Sequence, residues 1–266
     1  MNNVARAFLL TLFAGLSTGI GSAIAFYAKK TNTKFLSVSL GISAGVMVYV
    51  SFVELLTQSM DVLGKALGAK MGSFVSIMSF FTGVFLIAVI DKLVPSEGNP
   101  HEMQSVEKIN DGIKKDERLL RTGFLTALAV AVHNFPEGFA AFASALQEAS
   151  IAIPIAVAIA IHNIPEGIAV SVPIYYATGD KKKAFVYSFL SGLSEPLGAA
   201  LFYLILFPFI NDIVIGAIYA CIAGIMVFIS IDELLPSARE YGEHHLSVYG
   251  FVGGMAIMAF IFLPFI

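Results

Sequence analysis

Apolar residues run in long blocks from one end of the chain to the other, separated by short polar breaks. Eight blocks stand out, at about 4–28, 36–60, 71–93, 122–147, 152–176, 185–209, 213–236 and 247–266. At 1.5 Å per residue, about 20–26 residues of α-helix cross a hydrocarbon core of roughly 30 Å. Lipid offers no partner to a backbone N–H or C=O, so runs of this length predict helices that satisfy their own backbone. The expected fold class is an all-α integral membrane protein with eight transmembrane helices, a single domain over 1–266. The longest polar break, 92–121, is too short for a domain of its own and is expected to be a linker between spans 3 and 4. The first block sits where a signal peptide would, but its apolar run is too long for one and it takes part in a repeat.

Composition agrees. The chain is 57% hydrophobic and 13% charged, with a mean hydropathy of +0.82, against about 25% charged residues in a soluble domain. The net charge of −3 says less than the placement of the cations. Alternating the loops puts Lys29, Lys30, Lys34, Lys92, Lys108, Lys114, Lys115, Arg118, Arg121, Lys181, Lys182, Lys183 and Arg239 on one side. Only Arg6, Lys65 and Lys70 fall on the other. Positive loops stay in the cytoplasm, so both termini are expected outside, the linker inside, and the protein multi-pass in the cell (inner or plasma) membrane. The single cysteine, Cys221, lies in an apolar block, which excludes a disulfide framework or a thiolate metal site. No phosphate-binding loop and no basic aromatic face is present, so neither direct ATP use nor nucleic-acid binding is expected.

The blocks repeat. Ala44–Leu56 (AGVMVYVSFVELL) returns as Ala223–Leu235 (AGIMVFISIDELL), and Gly15–Gly21 (GLSTGIG) is echoed by Gly192–Gly198 (GLSEPLG). His133–Gly138 (HNFPEG) and His162–Gly167 (HNIPEG) form a third pair. Span 1 thus matches span 6, span 2 matches span 7, and span 4 matches span 5. Each pair is an odd number of spans apart, so its members cross in opposite senses. The expectation is an inverted repeat, spans 1–3 against 6–8 and 4 against 5, with the site at the interface between repeats.

The doubled motif carries the chemistry. On a helix His133 and Glu137 lie four apart on one face, and Asn134 lies three from Glu137; His162, Asn163 and Glu166 repeat the arrangement. Pro136 and Pro165 lack an N–H and free the carbonyls of Val132 and Ile161. Glu195-Pro196 adds a third carboxylate with its own freed carbonyl, at Gly192. A charged residue at a helix centre costs roughly 2.5–3.5 kcal/mol on insertion scales, so three such glutamates cost on the order of 8–10 kcal/mol. Protonated glutamates bonded between helices offset part of that, but leave the histidines and asparagines without a role. A divalent cation uses all of them. Two overlapping sets follow: His133, Glu137, His162 and Glu166, of mixed nitrogen and oxygen character, and Asn134, Glu137, Asn163, Glu166 and Glu195, all oxygen. Glu137 and Glu166 bridge both sets. Imidazole with carboxylate suits Zn²⁺ or Fe²⁺, while the oxygen set suits Mn²⁺ and other hard ions. Met47, Glu54, Asp232 and Glu233 are candidate pathway residues nearer the helix ends, and His101, His244 and His245 are candidates for catching a released ion.

The paired His-Asn-x-Pro-Glu-Gly motifs on consecutive spans, followed by Ser194–Gly198 (SEPLG), resemble the ZIP family of metal transporters (Zrt-, Irt-like proteins), over nearly the whole chain. The resemblance implies uptake of Zn²⁺, with Fe²⁺, Mn²⁺ or Cd²⁺ as further cargo, through an eight-helix bundle with both termini outside. It implies that His162, Glu137 and Glu166 form a zinc site with His133 beside them, and that Asn134, Glu137, Asn163, Glu166 and Glu195 form a second. The family's histidine-rich run between spans 3 and 4 is missing here; only His101 is present.

The function expected is a secondary transporter or facilitator: the cation loses water, binds at the midplane and leaves inward by alternating access, with the metal as cargo and no cofactor. Metal ligands give up protons on binding, so uptake is expected to depend on pH. The partners expected are divalent metal ions and the lipid bilayer, with a homodimer as candidate assembly. The alternatives are an intramembrane metalloenzyme, against which the His-Glu-x-x-His order is absent, and a metal-sensing membrane receptor.

Overall fold

The computed structural model describes residues 3–27, 33–93, 114–146, 149–241 and 244–263, and among these the chain is nearly all helix. The elements are α1 (Asn3–Tyr27), α2 (Thr33–Tyr49), α3 (Leu56–Leu67), α4 (Ala69–Leu93), α5 (Lys114–Ala145), α6 (Ala149–Thr178), α7 (Lys181–Gly192), α8 (Ser194–Leu201), α9 (Asp212–Ile229), α10 (Leu235–Tyr241) and α11 (His244–Phe262). Wide π-helical turns at Val50–Leu55 and Ser230–Leu234 join α2 to α3 and α9 to α10. Seven segments of the described residues are long and apolar enough to cross a membrane: Asn3–Ala23, Ser37–Leu67, Ala69–Lys92, Ala152–Val172, Lys181–Ile205, Asp212–Arg239 and His245–Phe262. They coincide with seven of the eight expected spans. The expected span 122–147 falls on α5, whose 32 residues begin in a charged stretch, Lys114–Arg121. These are good helix formers, and the helix extends back through them into the expected linker. The protein is a multi-pass membrane protein. The remainder of the linker, including His101, lies outside the described residues.

Helix ends are set by local chemistry. Asp180 caps α7, accepting from the backbone N–H groups of Lys182 and Lys183 at 2.8 and 3.1 Å, and Asn211 caps α9 through Val214 N–H at 3.0 Å. Gly68 and Gly179 close α3 and α6 at positive φ, 83° and 66°, a conformation open to glycine without penalty.

The helices sort into two groups by packing. Helices α1, α5, α6, α7 and α8 pack closely on one another, as do α2, α3, α4, α9, α10 and α11. The groups meet mainly where α2 crosses α6 and α9 crosses α5. Within each group backbones touch at glycine. A Cβ on Gly138 would sit 2.1 Å from the Glu195 carbonyl oxygen, and one on Gly167 would sit 1.9 Å from that of Thr18. Gly198 meets the Phe135 carbonyl at 2.3 Å and Gly21 the Ile164 carbonyl at 1.9 Å in the same way. In the second group Gly45 and Gly224 meet the carbonyls of Phe251 and Phe80, both at 2.0 Å. Small residues let membrane helices approach this closely. The contacts fall in pairs at the positions the sequence repeat equates: Gly138 with Gly167, Glu195 with Thr18, Phe135 with Ile164, Gly198 with Gly21.

The prolines act unequally. Pro136 and Pro165 lie inside α5 and α6, which continue through them without a break. Only Glu195-Pro196 coincides with an interruption, at Leu193 between α7 and α8. One missing hydrogen bond in a helix of 30 or more residues held by neighbours does not stop it. At the third site Gly192 and Gly198 flank the proline and weaken the helix further. The Gly192 carbonyl that Pro196 frees points at Gly15 of α1, where a Cβ would lie 2.5 Å from it. A Cα–H contact of this kind gives a freed carbonyl a weak partner inside the bundle.

Candidate metal centre

The candidate ligands come from three helices of one group. Helix α5 supplies Asn134 and Glu137, α6 supplies His162, Asn163 and Glu166, and α8 supplies Glu195. All six side chains are buried, none more than 1% exposed, and they face the bundle rather than lipid. The side chain of His133 lies outside those described.

The groups engage one another across helices. His162 Nε2 lies 3.0 Å from Glu137 Oε2, joining α6 to α5. The Asn163 amide nitrogen donates to the Ala14 carbonyl of α1 at 2.9 Å and also to Glu195 Oε1 of α8. With its amide oriented to give its nitrogen an acceptor, Asn134 donates to Glu166 Oε2 and to the Val130 carbonyl, both at 3.2 Å. Glu137 and Glu166 both act electrostatically on Glu195, and Glu166 also acts on His162. Among the described residues no three His, Cys, Asp or Glu side chains are arranged around a single point; the groups meet in pairs.

Those pairs leave oxygens over. Glu137 Oε1, Glu195 Oε2 and Asn163 Oδ1 are buried with no hydrogen-bond partner. A buried acceptor left unsatisfied costs on the order of 1–3 kcal/mol, and more when charged. Each is a buried oxygen whose lone pairs a cation within reach would satisfy. Glutamate and asparagine oxygens with an imidazole beside them match what divalent metals take.

The other candidates lie apart. Met47 is fully buried in α2, its carbonyl accepting from Ser51 Oγ at 2.7 Å. Glu54 is half-buried in the π turn Val50–Leu55 and accepts from the Gln58 side chain. Asp232 and Glu233 lie in the π turn Ser230–Leu234, the first exposed and the second half-buried. His245 is exposed, its ring centroid 6.1 Å from that of Tyr249; the side chains of His101 and His244 lie outside those described. Two contributors were missed from sequence. One is the Ala14 carbonyl, which holds Asn163; a backbone acceptor leaves no residue signal, though the GLSTG stretch that begins at the next residue marks that part of α1. The other is Ser43 of α2, whose hydroxyl donates to the His162 carbonyl at 3.3 Å across the boundary between the two groups.

Comparison with known proteins follows the same motif. The family model described as "ZIP Zinc transporter" matches residues 92–262. Over 279 aligned residues the chain is 60% identical to a protein named "Zinc transporter ZupT" from Clostridium perfringens, with 100% of this chain and 98% of the relative covered. A protein of the same name from Streptococcus mutans is 62% identical over 260 residues, with 98% and 97% covered, and one from Nitratidesulfovibrio vulgaris is 57% identical over 272 residues, with 99% and 98% covered. With a family model that spans both His-Asn-x-Pro-Glu-Gly motifs and relatives this similar from end to end, the chain belongs to the ZIP zinc transporter family.

Proposed function

We propose that this protein carries Zn²⁺ across the cell membrane into the cytoplasm, and that the ion passes through a midplane centre built from Glu137, Glu166, Glu195, Asn134, Asn163, His162 and His133. One observation carries the site: three acceptor oxygens, on Glu137, Asn163 and Glu195, are buried on adjacent helices with no hydrogen-bond partner. The cargo follows from the family and from full-length relatives that are named zinc transporters. Fe²⁺, Mn²⁺ and Cd²⁺ are secondary cargo, since the oxygen-rich half of the ligand set accepts harder ions and the imidazole half softer ones. The two ligand sets share Glu137 and Glu166, so the centre holds two ions or passes one between two positions.

The architecture we propose for this traffic is an inverted repeat with both termini outside and the 92–121 linker in the cytoplasm. The paired glycine–carbonyl contacts and the two π turns at matched positions support it. Halves related in this way can exchange conformations, exposing one site to either side in turn.

Zinc flux into proteoliposomes tests the reading. The wild-type protein is expected to load vesicles with Zn²⁺ along its gradient without ATP. Glu137→Gln and Glu166→Gln are each expected to reduce the initial rate by about tenfold or more, since removing one charged ligand costs at least about 1.4 kcal/mol of ion stabilisation. A receptor or an enzyme would bind zinc and move none. Normal flux in both variants would remove the site assignment.

A further inference from the structure

A cavity lined by none of the candidate metal ligands lies at the boundary between the two helix groups. Its volume is about 630 Å³, and its walls come from α4, α5, α8 and α9, including Leu86, Ala131, Phe139, Leu197, Ile218 and Cys221. Almost no polar surface lines it. It is much larger than a packing defect, within the range of roughly 300–1,000 Å³ that organic ligands fill.

The surroundings decide what occupies it. By liquid volume the space would take about twenty waters, but a buried water needs two to four polar partners and the walls offer almost none. Leu86 and Leu197 are 49% and 56% exposed, so apolar surface runs from the lining out to the part of the bundle that faces hydrocarbon. The corresponding boundary between α2 and α6 is closed, with Ala44 and Met47 fully buried and Ser43 bonded across it. We propose that the cavity between α4–α9 and α5–α8 is a binding site for an acyl chain of a bilayer lipid, which enters between the two helix groups beside the metal-bearing helices. The inference rests on the membrane fold and not on transport.

The chain contains no tryptophan, which allows a direct test with the full-length protein. Phe139→Trp and Ile218→Trp place one reporter on each wall. Phe85→Trp, at a site 69% exposed, and Phe142→Trp, at a fully buried one, mark lipid contact and its absence. The proteins are reconstituted into phosphatidylcholine vesicles with dibrominated acyl chains, and into the same vesicles without bromine. The expected result is quenching of Phe139→Trp and Ile218→Trp by bromine close to that of Phe85→Trp, with Phe142→Trp little affected. Filling the space with Ala131→Leu lowers the quenching of both wall reporters about twofold or more, because bulk in the cavity displaces chain atoms from contact. The proposal is overturned if the wall reporters are quenched no more than Phe142→Trp, if aqueous acrylamide quenches them where bromine does not, or if Ala131→Leu changes nothing. The two reporters sit on different helices, so a folding failure in one leaves the other decisive.

Discussion

At the scale of single residues, the centre depends on which polar atoms are satisfied. Asn163 is the most constrained, since one amide nitrogen serves both the Ala14 carbonyl and Glu195. Asn163→Leu removes that donor while keeping the volume, and strands two buried acceptors, at a cost on the order of 1–3 kcal/mol each. The expected outcome is a clearly lower unfolding midpoint in detergent without metal, and a smaller rise in that midpoint on adding Zn²⁺, because a ligand that binds only the folded state stabilises it in proportion to its affinity. A midpoint equal to the wild type in both conditions would assign Asn163 no part in the site. The candidate ligands could be named in sequence because the motif occurs twice at the spacing one helix face requires, and the fold buries six of them. Their partners could not. Glu137 meets His162 of the other motif, and Asn163 meets a backbone carbonyl of α1, so both contacts depend on how distant helices are placed.

At the scale of elements, the apolar blocks predicted the helices well, and their interruptions poorly. Seven expected spans recur as membrane-length segments, because a long uncharged run has one way to satisfy its backbone in lipid. The π turns at Val50–Leu55 and Ser230–Leu234 are invisible in the residue pattern, since the apolar run continues through them; only their occurrence in the repeated stretch hinted that the two places match. The prolines leave the opposite gap: three of them free a carbonyl, and nothing in the residues alone says that only Pro196 coincides with an interruption. The glycines make the sharpest prediction. Gly167→Ala puts a methyl 1.9 Å from the Thr18 carbonyl oxygen, a backbone atom that moves only if α1 moves. Gly253→Ala meets nothing within 4 Å and replaces a poor helix former with the best one, worth about 1 kcal/mol. Thermal unfolding in detergent is expected to show Gly167→Ala strongly destabilised or misassembled, and Gly253→Ala as stable as the wild type or more so. Equal behaviour of the two would mean that the close helix approaches are not needed.

At the scale of the whole molecule, orientation is the property that the cation count predicts and the helix packing leaves open. In a Cys221→Ser background, the chain being otherwise free of cysteine, Ala66→Cys and Ser96→Cys report the two sides. An impermeant maleimide applied to intact cells is expected to label Ala66→Cys, and to reach Ser96→Cys only after permeabilisation; the reverse pattern would invert the transporter and its direction of flux. The close approaches of glycine to carbonyl bear on how such a molecule can move. Helices α1, α5, α6 and α8 interlock through oxygens resting where side chains would otherwise be, so no one of them can slide past its neighbour without a collision. A displacement of any one of them therefore draws its partner along, like a piston and its rod, and the helix group moves as a block against α2 and α9.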